Sequence, residues 1–263
     1  MNPTDIVRRW LPRRLKEAAK KEIVQRFEVP SMERSLGNMR RLGFRPAGVV
    51  DIGAYKGEWT VMTRAIFPEA GFLMLEAQES QRAILENIKN QFPASVNYRI
   101  ALLGAENREG VDFHQYDVAP TGASVLTAQA GAPARLVKCR METLDAILSR
   151  EGFRRPELIK IDVQGYELEV LKGGKEALAA AEAIAMEVSL LELYQGTPLM
   201  HEVIAFMHER GFLCYDIPTL MRRPSDRTLW QVDMVFVKAG SPLIQDKTGL
   251  IPDASSSGRP FPR

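Results

Sequence analysis

From Gly48 onward the apolar positions follow two alternating rhythms. Short apolar runs of strand length occur at Gly48–Ile52, Phe72–Leu75, Val96–Leu103, Leu158–Ile161 and Ala183–Val188. Between or after them lie longer amphipathic stretches at Glu58–Phe67, Ser80–Gln91, Glu167–Ala181 and Pro198–Glu209, which are expected to be helices. Strands that alternate with helices imply βαβ units, hence a mostly parallel sheet covered on both faces with right-handed crossovers. Phe212–Tyr215 and Val232–Val237 complete a seven-stranded sheet, with Pro218–Leu229 as a polar, arginine-rich connection. The expected fold class is α/β: a doubly wound, Rossmann-like sheet.

The rhythm breaks in the middle of the chain. Val111–Tyr116 and Arg135–Arg140 read as added strands, and Met141–Ser149 as a helix. Between the added strands, Asp117–Pro133 is rich in Gly, Ala, Pro and Thr and reads as a loop with a short strand at Ala123–Leu126. The two ends differ from this body. Ile6–Phe27 carries eight basic residues with apolar residues at roughly helical spacing, and Pro12 suits a first helical turn. It fits a helix packed on the main domain. It also fits an interfacial helix drawn to anionic lipid through Trp10 and Phe27, although Glu17, Glu22 and Glu28 dilute its charge. Residues 241–263, with a Ser-rich run and several prolines, read as a poorly ordered tail. The expected organisation is a helical extension over 1–45, a catalytic domain over 46–240 and a tail over 241–263.

Composition narrows the function. The chain has 263 residues, 35 basic and 33 acidic, with a formal charge of +2, a balance that argues against a dedicated nucleic-acid binder. Cys139 and Cys214 stand alone and are expected to be reduced thiols. Without a CxxC or Cys/His cluster no metal is expected. No apolar run approaches the roughly 20 residues that span a bilayer, and no signal peptide is evident. The expected location is the cytoplasm, with peripheral contact at the inner membrane face through residues 1–28 as the alternative. The oligomeric state is left open between monomer and homodimer.

In an open α/β sheet, ligands bind where strands end and strand order reverses. The first such end is Asp51-Ile52-Gly53-Ala54-Tyr55-Lys56-Gly57. A dinucleotide loop needs three glycines around a pyrophosphate; here only Gly53 and Gly57 occur, and Asp51 would repel phosphate. An acid at this point suits a cationic ligand without phosphate, such as S-adenosylmethionine (SAM). Glu76 ends the second strand, where an acid can accept hydrogen bonds from both ribose hydroxyls. Ala54, Tyr55 and Ala77 flank these two acids. At the third strand end Ala101 and Leu102 are expected to lie against the adenine.

The fourth strand carries the most specific stretch, Ile159-Lys160-Ile161-Asp162-Val163-Gln164-Gly165-Tyr166-Glu167, followed by Val170-Leu171-Lys172-Gly173-Gly174. It resembles the signature of the FkbM family of SAM-dependent methyltransferases. The loop Val50–Ala54, Glu76 and Thr143-Leu144-Asp145 fit the same family, and the similarity spans about residues 46–238. Two departures stand out: Gln164 occupies a position where the family often has Glu, and Ala77-Gln78 follows Glu76 where Pro is frequent. The resemblance implies O-methylation, commonly of sugars, polyketides or other secondary metabolites.

Methyl transfer to a hydroxyl needs alignment and a proton acceptor. The candidates are Asp162, Glu187 at the fifth strand end, and His201 near the Tyr194–Pro198 loop; Asp162 also faces the cofactor. Ser124, Tyr194 and Arg222 are the candidate acceptor contacts. Two other function classes compete: an NAD-linked oxidoreductase on the same sheet, and a non-catalytic partner in glycan assembly that docks on the membrane.

Overall fold

The computed structural model describes residues 30–116, 120–128 and 134–245. The expectations for Ile6–Phe27, and for the tail beyond Gln245, lie outside the described residues. The main sheet has seven strands in the order β3-β2-β1-β7-β8-β10-β9. These are β1 (Gly48–Ile52), β2 (Gly71–Glu76), β3 (Val96–Ile100), β7 (Leu158–Ile161), β8 (Ala183–Ser189), β9 (Phe212–Arg222) and β10 (Leu229–Lys238). The first five named run parallel, and β10 pairs antiparallel with both β8 and β9. A second, three-stranded sheet joins β4 (Leu102–Leu103), β6 (Arg135–Glu142) and β5 (Arg108–Gln115), in that order.

The helices are α1 (Met32–Arg41), α2 (Glu58–Ile66), α3 (Arg82–Gln91), α4 (Leu144–Arg150), α5 (Glu167–Lys172), α6 (Lys175–Ala180), α7 (Met200–Glu209) and the short α8 (Pro242–Gln245). They divide between the two sheet faces because side chains alternate along each strand. Val50, Ile52, Ile159, Ile161, Ile184, Met186 and Phe236 point to one face and pack with Leu144, Leu168, Leu171, Val203 and Met207 of α4, α5 and α7. Val49, Phe72, Met74, Leu158, Ala185 and Val235 point to the other and pack with Leu36, Met39, Leu85 and Ile88 of α1 and α3. Trp59, Met62 and Ile66 of α2 complete this second layer.

Register places the polar side chains on that second face. Asp51 pairs with Met74 and with Lys160, and Lys160 pairs with Ala185. Two residues further along the parallel strands, alternation returns to the same face at Glu76, Gly53, Asp162 and Glu187, and Glu187 pairs with Asp233 of antiparallel β10. The face is thus apolar in its middle and acidic along its carboxyl rim. Strand order reverses between β1 and β7, which places this rim at the switch-point crevice.

Five expectations change in detail. Val96–Leu103 is two strands: Ala101 donates to Glu76 O, and the chain then leaves the main sheet to pair with β6. The helix expected over Glu167–Ala181 breaks at Gly173-Gly174, where a Cβ on Gly173 would lie 2.1 Å from Gly104 O. Met141–Ser149 starts its helix only at Leu144, capped by the Thr143 side chain, because Met141 and Glu142 belong to β6. The connection Pro218–Leu229 is largely strand, for β9 runs on to Arg222 and pairs with Leu229. The strand expected at Ala123–Leu126 is a single bridge between Ser124 and His114.

The interdigitated apolar face is the main source of stability. Ile161→Ala, at a side chain with no exposed surface, is expected to lower unfolding free energy by about 2–5 kcal/mol in denaturant titration.

Candidate active site at the switch point

The ends of β1 and β7 approach each other closely. Asp162 N donates to Ile52 O at 3.0 Å, and a Cβ on Gly53 would lie 1.8 Å from Asp162 O. Gly53 also has φ 71°, so no other residue fits this crossing without backbone movement. Lys160 reaches up behind the crossing. Its ammonium donates to Gly53 O at 2.8 Å and is ion-paired with Asp51 at 3.4 Å and Asp162 at 3.6 Å. Burial opposes its charge, but Asp51 and Asp162 together hold its pKa above the ordinary lysine value.

Asp51 is buried. Its Oδ2 accepts from Thr60 Oγ1 at 2.7 Å, while Oδ1 has the nearby ammonium and no hydrogen bond. Glu76 is also buried and accepts two backbone N–H groups, from Tyr55 to Oε2 at 2.7 Å and from Gln78 to Oε1 at 2.8 Å. Tyr55 adopts φ 47° to direct its N–H there, a left-handed conformation that costs about 1–3 kcal/mol and clusters at functional sites. Burial raises the Glu76 pKa, and the two N–H groups act against that rise.

A cavity of about 730 Å³ opens along this rim. Gly53, Ala54, Tyr55, Glu76 and Ala77 line one side, with Ala101 and Leu102 beyond them and Phe113 above. Asp162, Glu187 and Tyr194 line the other side, together with Lys160. Of the candidate residues, Asp51 and Gly57 lie just behind this wall. Asp51 is held back by Thr60 and Lys160, and Gly57 opens α2 with φ 69°. Ser124 is buried behind the wall too. Its hydroxyl donates to Gln164 O at 2.8 Å and accepts from Leu126 N at 3.0 Å, so it ties the loop to the turn after β7.

Two further candidates lie away from the cavity and its wall. His201 is exposed on α7, which packs through Val203 and Met207 against the face opposite the acidic rim. Arg222 is exposed and donates to Arg227 O at 3.1 Å, because strand alternation sends its neighbour Met221 to the cavity instead. The structure adds lining residues that no motif signalled: Trp59, Tyr116, Met221, Trp230 and Gln231. An indole among buried apolar neighbours at Trp59, with an N–H that lacks a partner, was the sole local hint. Among the described residues no helix is long and apolar enough to cross a membrane, no cluster of His, Cys, Asp and Glu could hold a metal, and both cysteines are free.

The acidic rim is joined by amides. Gln164 Nε2 donates to Asp162 Oδ1 at 2.7 Å and to Glu187 Oε1 at 2.8 Å. The Tyr194 hydroxyl lies 3.1 Å from Gln164 Oε1 and 2.9 Å from Gly122 O. Gln164 has φ 57°, again left-handed, and this folds its side chain back over the two carboxylates. Burial, then Asp162 and Glu167, push the Glu187 carboxyl well above the ordinary value. Glu167 Oε1 accepts from Val163 N and Gly165 N, both at 3.0 Å, and burial pushes its carboxyl up to about 7.

These donor and acceptor groups fit SAM. Glu76, Ala101 and Leu102 line the cavity where a ribose and an adenine would lie, whereas Asp51 stays behind the wall with its Oδ1 paired to the Lys160 ammonium. The carboxylates of Glu76, Asp162 and Glu187 along this rim disfavour a pyrophosphate.

The raised Glu167 carboxyl has a thermodynamic consequence. The folded chain binds this proton more tightly than the unfolded chain, whose glutamate titrates near 4.5. The stability it contributes is full below about pH 4.5 and is lost as pH rises through about 7. Each unit of separation corresponds to about 1.4 kcal/mol. Glu167→Gln, whose amide oxygen still accepts both N–H groups, is expected to gain on the parent by up to about 3 kcal/mol between those limits, read by urea titration across pH.

Comparison with known proteins gives the family of the chain. The model of the methyltransferase FkbM domain family matches residues 51–214, a span that holds Asp51, Glu76, Asp162 and Glu187. No curated protein matches. Among solved structures, this chain is similar to a methyltransferase FkbM from Methylobacillus flagellatus KT, at 15% identity and a TM-score of 0.49. That alignment covers 73% of this chain and 43% of the other, so the chain spans less than half the length of that relative. It is also similar to precorrin-6y C5,15-methyltransferase from Geobacter metallireducens, at 11% identity, a TM-score of 0.43 and coverage of 76% and 85%. A third is magnesium protoporphyrin IX methyltransferase from Synechocystis, solved with bound SAM, at 10% identity, a TM-score of 0.44 and coverage of 76% and 74%. Through the family match over residues 51–214, which covers more than half of its length, the chain belongs to the FkbM family of SAM-dependent methyltransferases.

Proposed function

We propose that this chain transfers a methyl group from SAM to a hydroxyl of a sugar, glycan or secondary-metabolite acceptor, with Glu187 receiving the hydroxyl proton. The observation that carries this reading is the position of Glu187. It lines the cavity across from Glu76 and the Tyr55 loop, and its carboxyl is raised by burial and by Asp162. A carboxylate more basic than usual is suited to take a proton from a weak acid. Asp162 is less suited, because Lys160 and Gln164 already engage both its oxygens. His201 is exposed on α7, a helix that covers the opposite face.

SAM supplies, when bound, an electrophilic methyl group on a sulfonium. Glu76 would hold the ribose, while the apolar wall at Ala101 and Leu102 would exclude water from the adenine. The acceptor's O–H bond breaks as its oxygen forms the new C–O bond. The proton goes to Glu187, and the electron pair of the old C–S bond stays on sulfur, leaving a neutral thioether. The acceptor side favours a neutral ring. Its acids repel phosphates and carboxylates, while Tyr116, Tyr194 and Trp230 offer aromatic faces for the C–H side of a sugar. The partner is therefore a small molecule or an exposed glycan residue. Membrane contact through residues 1–28 belongs to the same proposal: a glycan acceptor on a lipid carrier would place the enzyme at the inner membrane face.

Incubation with isotope-labelled SAM and a panel of neutral sugars, glycans and polyketide alcohols, followed by mass spectrometry, is expected to show methyl ethers. Label only on amine, acid or nucleic-acid acceptors would overturn the reading. On a hydroxyl acceptor found in this way, Glu187→Gln is expected to lower kcat by about a hundred- to ten-thousandfold. Calorimetric affinity for SAM should stay near that of the parent. Glu76→Ala is expected to do the reverse, weakening SAM binding by about ten- to a hundredfold through loss of the ribose contacts.

A further inference from the structure

Glu187 is held by one oxygen only. Gln164 Nε2 and Gln231 Nε2 each donate to it at 2.8 Å, and both bonds fall on Oε1. Among the described residues no hydrogen bond reaches Oε2, although Glu187 lines the cavity. The two amides come from separate parts of the fold. Gln164 arrives from the turn after β7 and Gln231 from the start of β10, where it pairs with Ser189, two residues beyond Glu187. Each is fixed in turn. Gln164 has its second N–H on Asp162 and its carbonyl oxygen beside the Tyr194 hydroxyl, and Gln231 is buried.

We propose that Gln164 and Gln231 form an amide clamp on Oε1 of Glu187, which leaves Oε2 facing the cavity as the oxygen that receives the acceptor's proton. Both glutamines are then positioning residues for methyl transfer. The inference rests on the reading of Glu187 as the proton acceptor. Two neutral donors suit this task. They fix the plane of the carboxylate and support its charge, yet they bring no positive charge that would abolish its basicity. The groups that face Glu187 otherwise pull in both directions. Asp162 beyond β7, Glu167 on α5 and Asp233 on β10 oppose its ionisation, and Lys160 favours it. Tyr194 faces it from the loop before α7, and its own phenol is raised by burial and then by Glu187. Loss of either amide N–H removes support from the carboxylate alone, so the midpoint of Glu187 must rise.

The test uses the full chain labelled with carboxyl-¹³C glutamate and titrated by NMR. The Glu187 resonance is identified by its loss in Glu187→Gln. Gln231→Met and Gln164→Leu preserve volume and remove the donors. Each is expected to move the Glu187 midpoint up by about one pH unit, with SAM affinity by calorimetry unchanged. The pH at which methyl transfer to the hydroxyl acceptor gains activity should move up by the same amount, with KM for SAM constant. Should Gln231→Met fail to fold, Gln231→Glu, nearly identical in volume, replaces the donor by a like charge and must also raise the midpoint. Midpoints within a few tenths of the parent, in variants that bind SAM, overturn the clamp while leaving Glu187 as the base. Full turnover in Glu187→Gln overturns the base reading itself, and the clamp's role in catalysis with it.

Discussion

The ammonium of Lys160 lies behind the acidic rim, bonded to Gly53 O and paired with Asp51 and Asp162. Three carboxyl-bearing or carbonyl-bearing elements from two strand ends converge on it, and no other cation among the described residues is ion-paired with either acid. Removing one partner from a buried charge cluster of this kind typically costs about 3–5 kcal/mol, because the remaining charges lose their compensation. The ammonium sits beside the crossing of Gly53 over Asp162, where strand order reverses and the backbone bond from Asp162 N to Ile52 O joins the ends of β1 and β7.

The two sides of the cavity are built by different means. On the donor side, backbone geometry dominates. Tyr55 N and Gln78 N fix Glu76, Asp162 N fixes Ile52, and the Gly53 turn is sterically forced. On the acceptor side, side chains dominate: Gln164, Gln231 and Tyr194 link Asp162 and Glu187 into one hydrogen-bonded chain. The strained backbones of Tyr55 and Gln164 mark one point on each side where local conformational preference yields to function.

The parallel half of the fold and most of the cavity lining contributed by the ends of β1 and β2 were legible in the sequence. Strand-length apolar runs that stop at Asp51, Glu76 and Asp162 specify both the sheet and the ends where ligands bind, and that signal is local. What was not legible depends on direction rather than pattern. Gln231 and Trp230 reach the cavity because β10 is antiparallel and delivers its first residues, not its last, to the rim. Arg222 was one position out of phase on β9, and His201 was near in sequence yet on a helix that covers the other face. Lys160 did carry a signal: a lone lysine inside Leu-Ile-Lys-Ile, a strand otherwise buried, must find a compensating charge. Only the register shows that Asp51 stands beside it.

The departure of the chain from the main sheet at Ala101 has a consequence for how such an enzyme diversifies. The small sheet of β4, β6 and β5, together with the loop that bears Thr121 and Gly122, begins at Leu102, itself a cavity-lining residue, and the chain rejoins the main sheet at β7. Insertions or replacements between those two joints leave the register of the parallel strands intact, because they alter no pairing of β1, β2, β7 or β8. The part of the cavity lining that follows β4 is thus a module that evolution or an engineer can exchange as a unit, while the parallel strands and the residues at their ends are inherited unchanged.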